Sequence, residues 1–111
     1  MKYQHKELAS GRWQKMPLAE QIANIGSEVE RTIIWKNKKN KEYADLAFER
    51  ALELLDLTIG DKKNKKRLKE LTRVREALAD YFVFDNIYKS TDELWRKYFY
   101  NFNYLFAVRK K

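Results

Sequence analysis

The chain has 111 residues, of which 44% are hydrophobic and 14% aromatic, enough for one domain with a single core and too apolar for wholesale disorder. Three glycines and one proline are too few for the frequent turns of an all-β fold, and the lack of cysteine excludes disulfide frameworks, zinc ribbons and thiol nucleophiles. The formal net charge of +8 favours anionic partners such as RNA, DNA or acidic protein surfaces.

Hydropathy and the N-terminal residues predict where the protein resides. No uninterrupted apolar run approaches the roughly 18 residues of a membrane span. Residues 1–6 are followed by no apolar block and do not form a signal peptide. We therefore expect a cytoplasmic protein with no membrane association.

The N-terminal part of the chain reads as an arm followed by a helix. Residues 1–16 are polar, carry a net charge of +3 and show no sustained period, which predicts a polar basic arm before a bundle over residues 17–111. The first helix should begin near Pro17, and its apolar stripe is Leu18, Ile22, Ile25, Val29 and Ile33. Gly26 beside this stripe predicts the close approach of a neighbouring helix.

The second helix is predicted from about Glu42 to Ile59. Its acidic residues occupy one narrow arc and most of its other positions are apolar, which indicates a central helix or a subunit interface. Self-association, most simply as a homodimer, is therefore expected. Gly60 and Asp61 should end the helix, since glycine is able to adopt the left-handed C-terminal conformation.

The remaining helices complete the predicted fold. A third helix covers about Lys65 to Phe84, and residues 85–86 read as a turn. A fourth helix begins at Ser90, where residues 90–93 fit the capping-box pattern, and runs to the C-terminus. Four helices with short connections predict an all-α, up-down-up-down four-helix bundle.

The predicted topology concentrates positive charge at one end. It places the arm, the connection over residues 60–70 and the C-terminus at the same pole, and these carry net charges of +3, +4 and +3. The rest of the chain then totals −2. A polarised excess of this kind favours an anion-binding pole over scattered solubilising charge.

Helix four is dense in aromatic residues. Its wheel places Trp95, Phe99 and their neighbours on a core face, while Tyr100 and Tyr104 point away from it beside cations. Such tyrosines can stack on unpaired bases, and they can also serve a dimer contact or lie half-exposed without a role. The candidate nucleic-acid-binding residues are the cations and aromatics of the pole and this face: Lys62, Lys63, Lys65, Lys66, Arg67, Arg96, Lys97, Tyr100, Tyr104, Arg109, Lys110 and Lys111.

Two arginines project into the apolar sectors of their helices. Arg50 and Arg75 would lie at the same level if helices two and three are antiparallel. A buried guanidinium needs an anionic partner, so we expect a salt-bridge network with Glu28, Glu30 and Asp80 as candidate partners. A bound anionic ligand, or a position of Arg50 across a subunit interface, is the alternative.

Catalytic patterns are incomplete. Glu49 and Glu53 would face Glu76 and Asp80 much as the acidic pairs of MazG-type nucleotide pyrophosphatases hold Mg²⁺, but the Glu-x-x-Asp at residues 53–56 lacks that family's upstream Glu-x-x-Glu. His5 is the only histidine, so the Glu-x-x-His motifs of di-iron bundles are absent. HEPN-type ribonucleases carry an Arg followed some four to six residues later by a His, and Arg73 and Arg75 have no His downstream. An inactive relative of the HEPN fold is retained on architecture alone.

Four stretches of the chain resemble a set of short prokaryotic proteins to which no activity is assigned. They are Leu18–Arg31, Ala47–Thr58, Arg67–Leu71 and Ser90–Leu94, so the resemblance covers most of residues 18–99. It implies a prokaryotic source and carries over no functional residue.

The leading functional prediction is a non-catalytic nucleic-acid-binding module, for RNA rather than DNA, that needs no cofactor and no metal. The alternative is an oligomeric structural or regulatory accessory protein whose basic pole docks an acidic partner surface. The third interpretation is the Mg²⁺-dependent helical nucleotide pyrophosphatase.

Overall fold

The computed structural model describes residues 11–109, with side chains described for residues 11–101. Within them the chain forms two short 3-10 helices, η1 and η2, four α-helices and no strand, which confirms the predicted all-α class. In chain order the elements are η1 (Trp13–Lys15), α1 (Leu18–Asn37), α2 (Lys41–Ile59), η2 (Lys62–Arg67), α3 (Leu68–Phe82) and α4 (Asp92–Arg109). No helix among these residues is both long enough and apolar enough to cross a membrane.

Helices α1 and α2 run antiparallel. At one end of the pair the ring of Trp35 lies 4.8 Å from that of Tyr43, centroid to centroid. At the other end Gln21, in the second turn of α1, donates to Asp61, which directly follows α2. The predicted hairpin of the first two helices is therefore present.

Helices α3 and α4 extend the same alternation. Arg75 of α3 pairs with Asp56 of α2, and α4 runs antiparallel to α1, with its first residue Asp92 beside Lys36 and Arg96 beside Glu30. The up-down-up-down arrangement is thus observed. The core fills the space between the helices with Ile22, Ile25, Val29, Ile33, Phe48, Ala51, Leu54, Leu55, Leu71, Val74, Leu78, Trp95 and Phe99, joined by Trp13.

Trp13 lies in the predicted arm, yet its side chain is fully buried. Its indole packs into the core, and its Nε1 donates to Thr58 Oγ1 at 2.9 Å. The boundary expected at Pro17 is therefore misplaced for residues 11–16, which belong to the bundle. A single aromatic among polar residues creates no period, which is why the sequence pattern did not indicate it. The rest of the predicted arm, residues 1–10, lies outside the described residues.

Gly26 allows the closest approach of α1 and α4. A Cβ atom added there would lie 2.9 Å from both Cβ and Cγ of Phe99, closer than real carbon contacts. The close approach predicted from this glycine is confirmed, and its partner is α4.

Local hydrogen bonds determine where the helices begin and end, and some of these ends differ from the predictions. α2 ends at Ile59 with Gly60 as its C-cap, as predicted, but Gly60 has φ −76° and does not use the left-handed conformation open to glycine. α3 begins at Leu68 because the preceding residues form η2, whose N-cap is Asp61. The cap of α4 is Thr91, whose Oγ1 accepts from Leu94 N at 3.1 Å, rather than Ser90.

The predicted buried arginine network is absent. Arg75 Nε donates to Asp56 Oδ1 at 2.7 Å, and both side chains are more than a third exposed. The expected partners are engaged elsewhere: Glu28 pairs with Arg31, Glu30 pairs with Arg96, and Asp80 accepts from backbone N–H groups. Arg50 is likewise only partly buried. Both arginines reach solvent at the edge of α2 and α3, so neither requires a buried anion.

Candidate nucleic-acid interface

The connection between α2 and α3 is held in place by a buried polar network. Asn64 is 3% exposed, and its Nδ2 donates to Gln21 Oε1 at 2.9 Å and to Thr58 O at 3.0 Å. Gln21 Nε2 in turn donates to Trp13 O and to Asp61 Oδ2, both at 3.0 Å. Networks whose buried members are satisfied in this way rigidify their surroundings. The basic residues Lys62–Arg67, called here the lysine segment, therefore sit on a fixed backbone.

Asp61 anchors the start of the lysine segment. Its Oδ1 accepts from Lys63 N at 3.1 Å, and its Oδ2 accepts from Lys63 Nζ as well as from Gln21. Burial raises the pKa of Asp61, but the hydrogen bonds from Lys63 and Gln21 outweigh burial, so its pKa lies below the ordinary value. This carboxylate is ionised at neutral pH.

Two of the five predicted cations of the lysine segment pair with carboxylates of described residues, and the other three do not. Lys63 Nζ is tied to Asp61 and to Gln14 O, and Arg67 Nη2 contacts both carboxylate oxygens of Glu70, at 2.5 and 2.8 Å. Both are structural cations. Lys62, Lys65 and Lys66 are exposed, and none of them forms an ion pair with a described residue. These three are the cations free to meet a phosphate.

A second candidate surface is the α1–α4 groove, a depression of about 680 Å³ between these helices. Its floor is apolar and comes from buried side chains, Val29, Ile33, Trp95 and Phe99. Exposed side chains form its rim: Arg31, Arg96, Lys97 and Tyr100. An apolar floor with a cationic rim suits a flat, anionic-backbone ligand.

The rim contains both paired and unpaired cations. Arg96 contacts Glu30 with two nitrogens, Nε to Oε1 at 3.0 Å and Nη2 to Oε2 at 2.9 Å. Arg31 Nη1 lies 2.5 Å from Glu28 Oε1. Lys97 forms no ion pair within the described part of the chain, and the exposure predicted for Tyr100 is confirmed at 67%. Lys97 and Tyr100 are thus the accessible pair.

Tyr98 belongs to a different surface. It lines an apolar crevice of about 270 Å³ between α3 and α4, together with Val74, Ala77 and Leu94. Burial, with a smaller contribution from Glu70, raises the pKa of Tyr98 to about 12. The two faces of α4 are therefore chemically distinct, as its helical wheel predicts.

The lysine-rich segment at the other end of the bundle is partly neutralised. Lys36 Nζ lies 2.7 Å from Asp92 Oδ1 and donates to Tyr81 OH, while Lys41 pairs with Asp45. Burial lowers the pKa of Lys36, but the hydrogen bonds to Asp92 and Tyr81 outweigh it and raise the pKa above the ordinary value. This segment offers fewer free charges than the lysine segment.

The structure therefore brings some of the predicted site residues together and separates others. Arg96, Lys97 and Tyr100 share the α1–α4 groove, whereas the lysine segment lies at the end of the bundle where α2 ends. The side chains of Tyr104 and Arg109, and all of Lys110 and Lys111, lie outside the described residues. Of the predicted basic pole, the described residues comprise the 60–70 connection and residues 11–16 of the arm.

Sequence reasoning missed Arg31 and Ser27, which line the groove from α1. A signal for them exists, because Gly26 marks where α4 crosses α1, and residues one and five positions later flank that crossing. The sequence analysis did not indicate that Lys63 pairs with Asp61, and the two-residue spacing between them was the available signal.

The acidic residues in the described part of the chain do not form a metal centre. Glu49 and Glu76 are exposed, while Glu53 and Asp80 are buried, and Asp80 uses both carboxylate oxygens on backbone N–H groups. Within the described residues no group of three or more His, Cys, Asp or Glu side chains could hold a metal ion.

Comparison with protein-family models, with curated proteins and with solved structures found no match to this chain.

Proposed function

We propose that this protein is a non-catalytic RNA-binding module in which the lysine segment contacts phosphates and the α1–α4 groove accepts an unpaired base. The observation that carries the proposal is the fixed presentation of Lys62, Lys65 and Lys66. They are exposed, they lack ion pairs with described residues, and their backbone is held by the buried network around Asn64. Cations on a rigid backbone lose less conformational freedom on binding than cations on a flexible tail.

The groove supports a preference for single strands. A base can stack on an exposed aromatic ring only if it is unpaired, and Tyr100 is the exposed ring beside Lys97 and Arg96. Proteins that recognise RNA by sequence mostly target such unstacked bases in loops and ends. We therefore assign RNA, rather than duplex DNA, as the ligand.

The phosphate contacts are tested by a triple variant, Lys62→Gln, Lys65→Gln and Lys66→Gln, which leaves the structural Lys63 in place. Each phosphate contact on a single strand contributes about −0.7 to the log–log salt slope, so losing three should reduce its magnitude by about 2. A fluorescence-anisotropy titration of a short RNA at several salt concentrations measures the slope. The affinity of the triple variant should fall by about the same factor for RNAs of every sequence.

A matched control removes the same charge from the other end of the bundle. Lys38→Gln, Lys39→Gln and Lys41→Gln also lower the net charge by three. This variant should retain most of the parent's slope. If both triple variants change the slope equally, only net charge matters and the lysine segment is not a binding site.

The base contact is tested by Tyr100→Ala. Affinity for single strands should fall about 5- to 150-fold with the salt slope unchanged, because stacking is worth about 1–3 kcal/mol per base. Tyr43→Ala is the control, since Tyr43 is also exposed but lies on α2 away from the groove. An unchanged affinity in Tyr100→Ala would remove the base-stacking part. Failure of the parent protein to bind RNA at low salt would instead favour the accessory protein that docks an acidic partner.

A further inference from the structure

The connection between α3 and α4 exposes a cluster of large apolar side chains. Val83, Phe84, Ile87 and Tyr88 are 59%, 71%, 72% and 57% exposed, and all lie within residues 83–88, called here the apolar loop. Contiguous exposed apolar surface of this size marks an interaction site more often than chance.

The apolar loop is held in place by polar contacts. Asp80 is 7% exposed, and its two carboxylate oxygens accept from Ile87 N at 2.9 Å and from Tyr88 N at 3.0 Å. Asn86, in the left-handed region at φ 55°, accepts from Ser90 N through Oδ1 and donates to Ser90 O. A buried carboxylate thus fixes the backbone of a loop whose apolar side chains face outward.

The charges around the apolar loop distinguish it from the rest of the surface. The chain as a whole carries +8, but residues 83–93 carry a net charge of −2 and residues 36–45 carry +2. Lys36, Lys39 and Lys41 of this second group line one depression together with Val83, so the two groups offset each other around the loop. An acidic partner or a phosphate backbone gains no net attraction here. Another copy of this chain would be repelled over much of its surface, and this loop is where two copies can approach without that cost.

We propose that a second copy of this chain docks on the apolar loop, forming a two-fold symmetric homodimer. In a two-fold symmetric contact, every pair of facing residues occurs twice, once in each direction. Asp85 of each copy can therefore face Lys89 of the other copy. From their exposed fractions, these four residues expose about 500 Å² per copy. Complete burial of this surface on both copies would give about 1,000 Å², which reaches the lower limit for a specific interface. The proposal does not depend on RNA binding.

This interface differs from the one that the sequence indicated. Helix α2 was expected to supply the subunit contact, but its exposed apolar residues, Tyr43 and Leu46, are 48% and 38% exposed, well below Phe84 and Ile87. Because the lysine segment lies at the opposite end of the bundle, the dimer carries its two lysine segments at its far ends.

Sedimentation equilibrium across the micromolar range tests the dimer. The parent should show a concentration-dependent dimer, and the double variant Phe84→Ser, Ile87→Ser should be monomeric with the parent's helix content by circular dichroism. The matched control Tyr43→Ser, Leu46→Ser should still form dimers. A monomeric parent, or a loop variant that still forms dimers, would overturn the proposal.

A charge exchange tests whether the occupant is a second copy in the stated orientation. Asp85→Lys and Lys89→Asp should each weaken self-association, and an equimolar mixture of the two variants should recover it as a heterodimer. Lys89 has φ 54°, a conformation that Asp tolerates better than most residues, so the exchange does not strain the loop. A mixture that stays monomeric would contradict the facing of Asp85 and Lys89.

The loop variants also separate this proposal from RNA binding. Phe84→Ser, Ile87→Ser should bind a short RNA that spans one lysine segment with the parent's affinity. Salt separates the two proposals as well, because screening strongly weakens phosphate contacts and changes an apolar contact between nearly neutral ends of two copies much less. If the parent protein forms dimers but does not bind RNA, the RNA-binding proposal has failed. If it binds RNA but stays monomeric, the dimer proposal has failed.

Discussion

Replacing Trp13 tests whether residues 11–16 are part of the folded core. The side chain is fully buried, and Trp→Ala changes at such sites cost about 3–5 kcal/mol. Burying about 200 Å² of aromatic surface at about 25 cal/mol per Å² gives a similar 5 kcal/mol as an upper value. Thr58 Oγ1 still donates to Leu54 O in the variant, so the lost indole hydrogen bond adds little. The loss is a large part of the roughly 5–15 kcal/mol that stabilises a domain.

Urea unfolding followed by circular dichroism measures this loss. Trp13→Ala should lower the free energy of unfolding by about 4 kcal/mol, or the melting temperature by about 15 °C at about 4 °C per kcal/mol. Gln14→Ala is the control, because that side chain is exposed and only its carbonyl is used, by Lys63. If Trp13→Ala unfolds within about 0.5 kcal/mol of the parent, as expected for a surface position, residues 11–16 are an arm after all.

The two remaining predictions concern the glycines and the acid limit of stability. Gly26→Ala should destabilise the fold by up to about 2 kcal/mol in calorimetry, because overpacking against Phe99 costs about 1–3 kcal/mol and helix propensity returns about 1 kcal/mol. Gly60→Ala, with its nearest contact at 3.4 Å, should be neutral or stabilising, and equal effects of the two changes would refute the close approach at Gly26. Because the pKa values of Asp61 and Asp92 are lowered in the fold, their contribution is present above the unfolded value of 3.8 and is lost as pH falls through the folded pKa. Asp61→Asn should lower the free energy of unfolding by about 1–3 kcal/mol at pH 7, because the carboxylate contacts are lost. In urea titrations this difference between variant and parent should shrink below about pH 4. A difference that does not change with pH would contradict the stabilising role of the ionised carboxylate.

The helices were predictable because each carries a strong period. The apolar stripe of α1 is the buried stripe of the structure, and α2 begins and ends within one residue of its prediction. Gly26 indicated the crossing of α1 by a neighbouring helix, because a glycine inside a helix lowers its stability unless close packing requires it. Trp13 and the 3-10 form of residues 62–67 were not predictable, since they depend on hydrogen bonds among Thr58, Gln21 and Asn64, which are distant in sequence.

The candidate site was only partly predictable for a related reason. A helical wheel shows that Tyr100 faces away from the core, but it cannot show that Arg31 of α1 lies across a groove from it. Counting charges likewise treats the cations of residues 62–67 as equal. The structure separates them, because Asp61 and Glu70 neutralise Lys63 and Arg67 locally.

Two buried carboxylates account for the placement of both proposed surfaces. Asp61 and Asp80 are 6% and 7% exposed. Asp61, just after α2, accepts the backbone N–H of Lys63, and Asp80, near the end of α3, accepts those of Ile87 and Tyr88. Burying a carboxylate is costly unless such donors satisfy it, so each is a contact that fixes a connection rather than a solvated surface charge. The connections so fixed are the lysine segment at one end of the bundle and the apolar loop at the other. The helices thus act as a scaffold, and the exposed cations and the exposed apolar side chains both lie on connections whose backbone is fixed before a partner binds. A backbone that is already ordered loses less conformational entropy on binding.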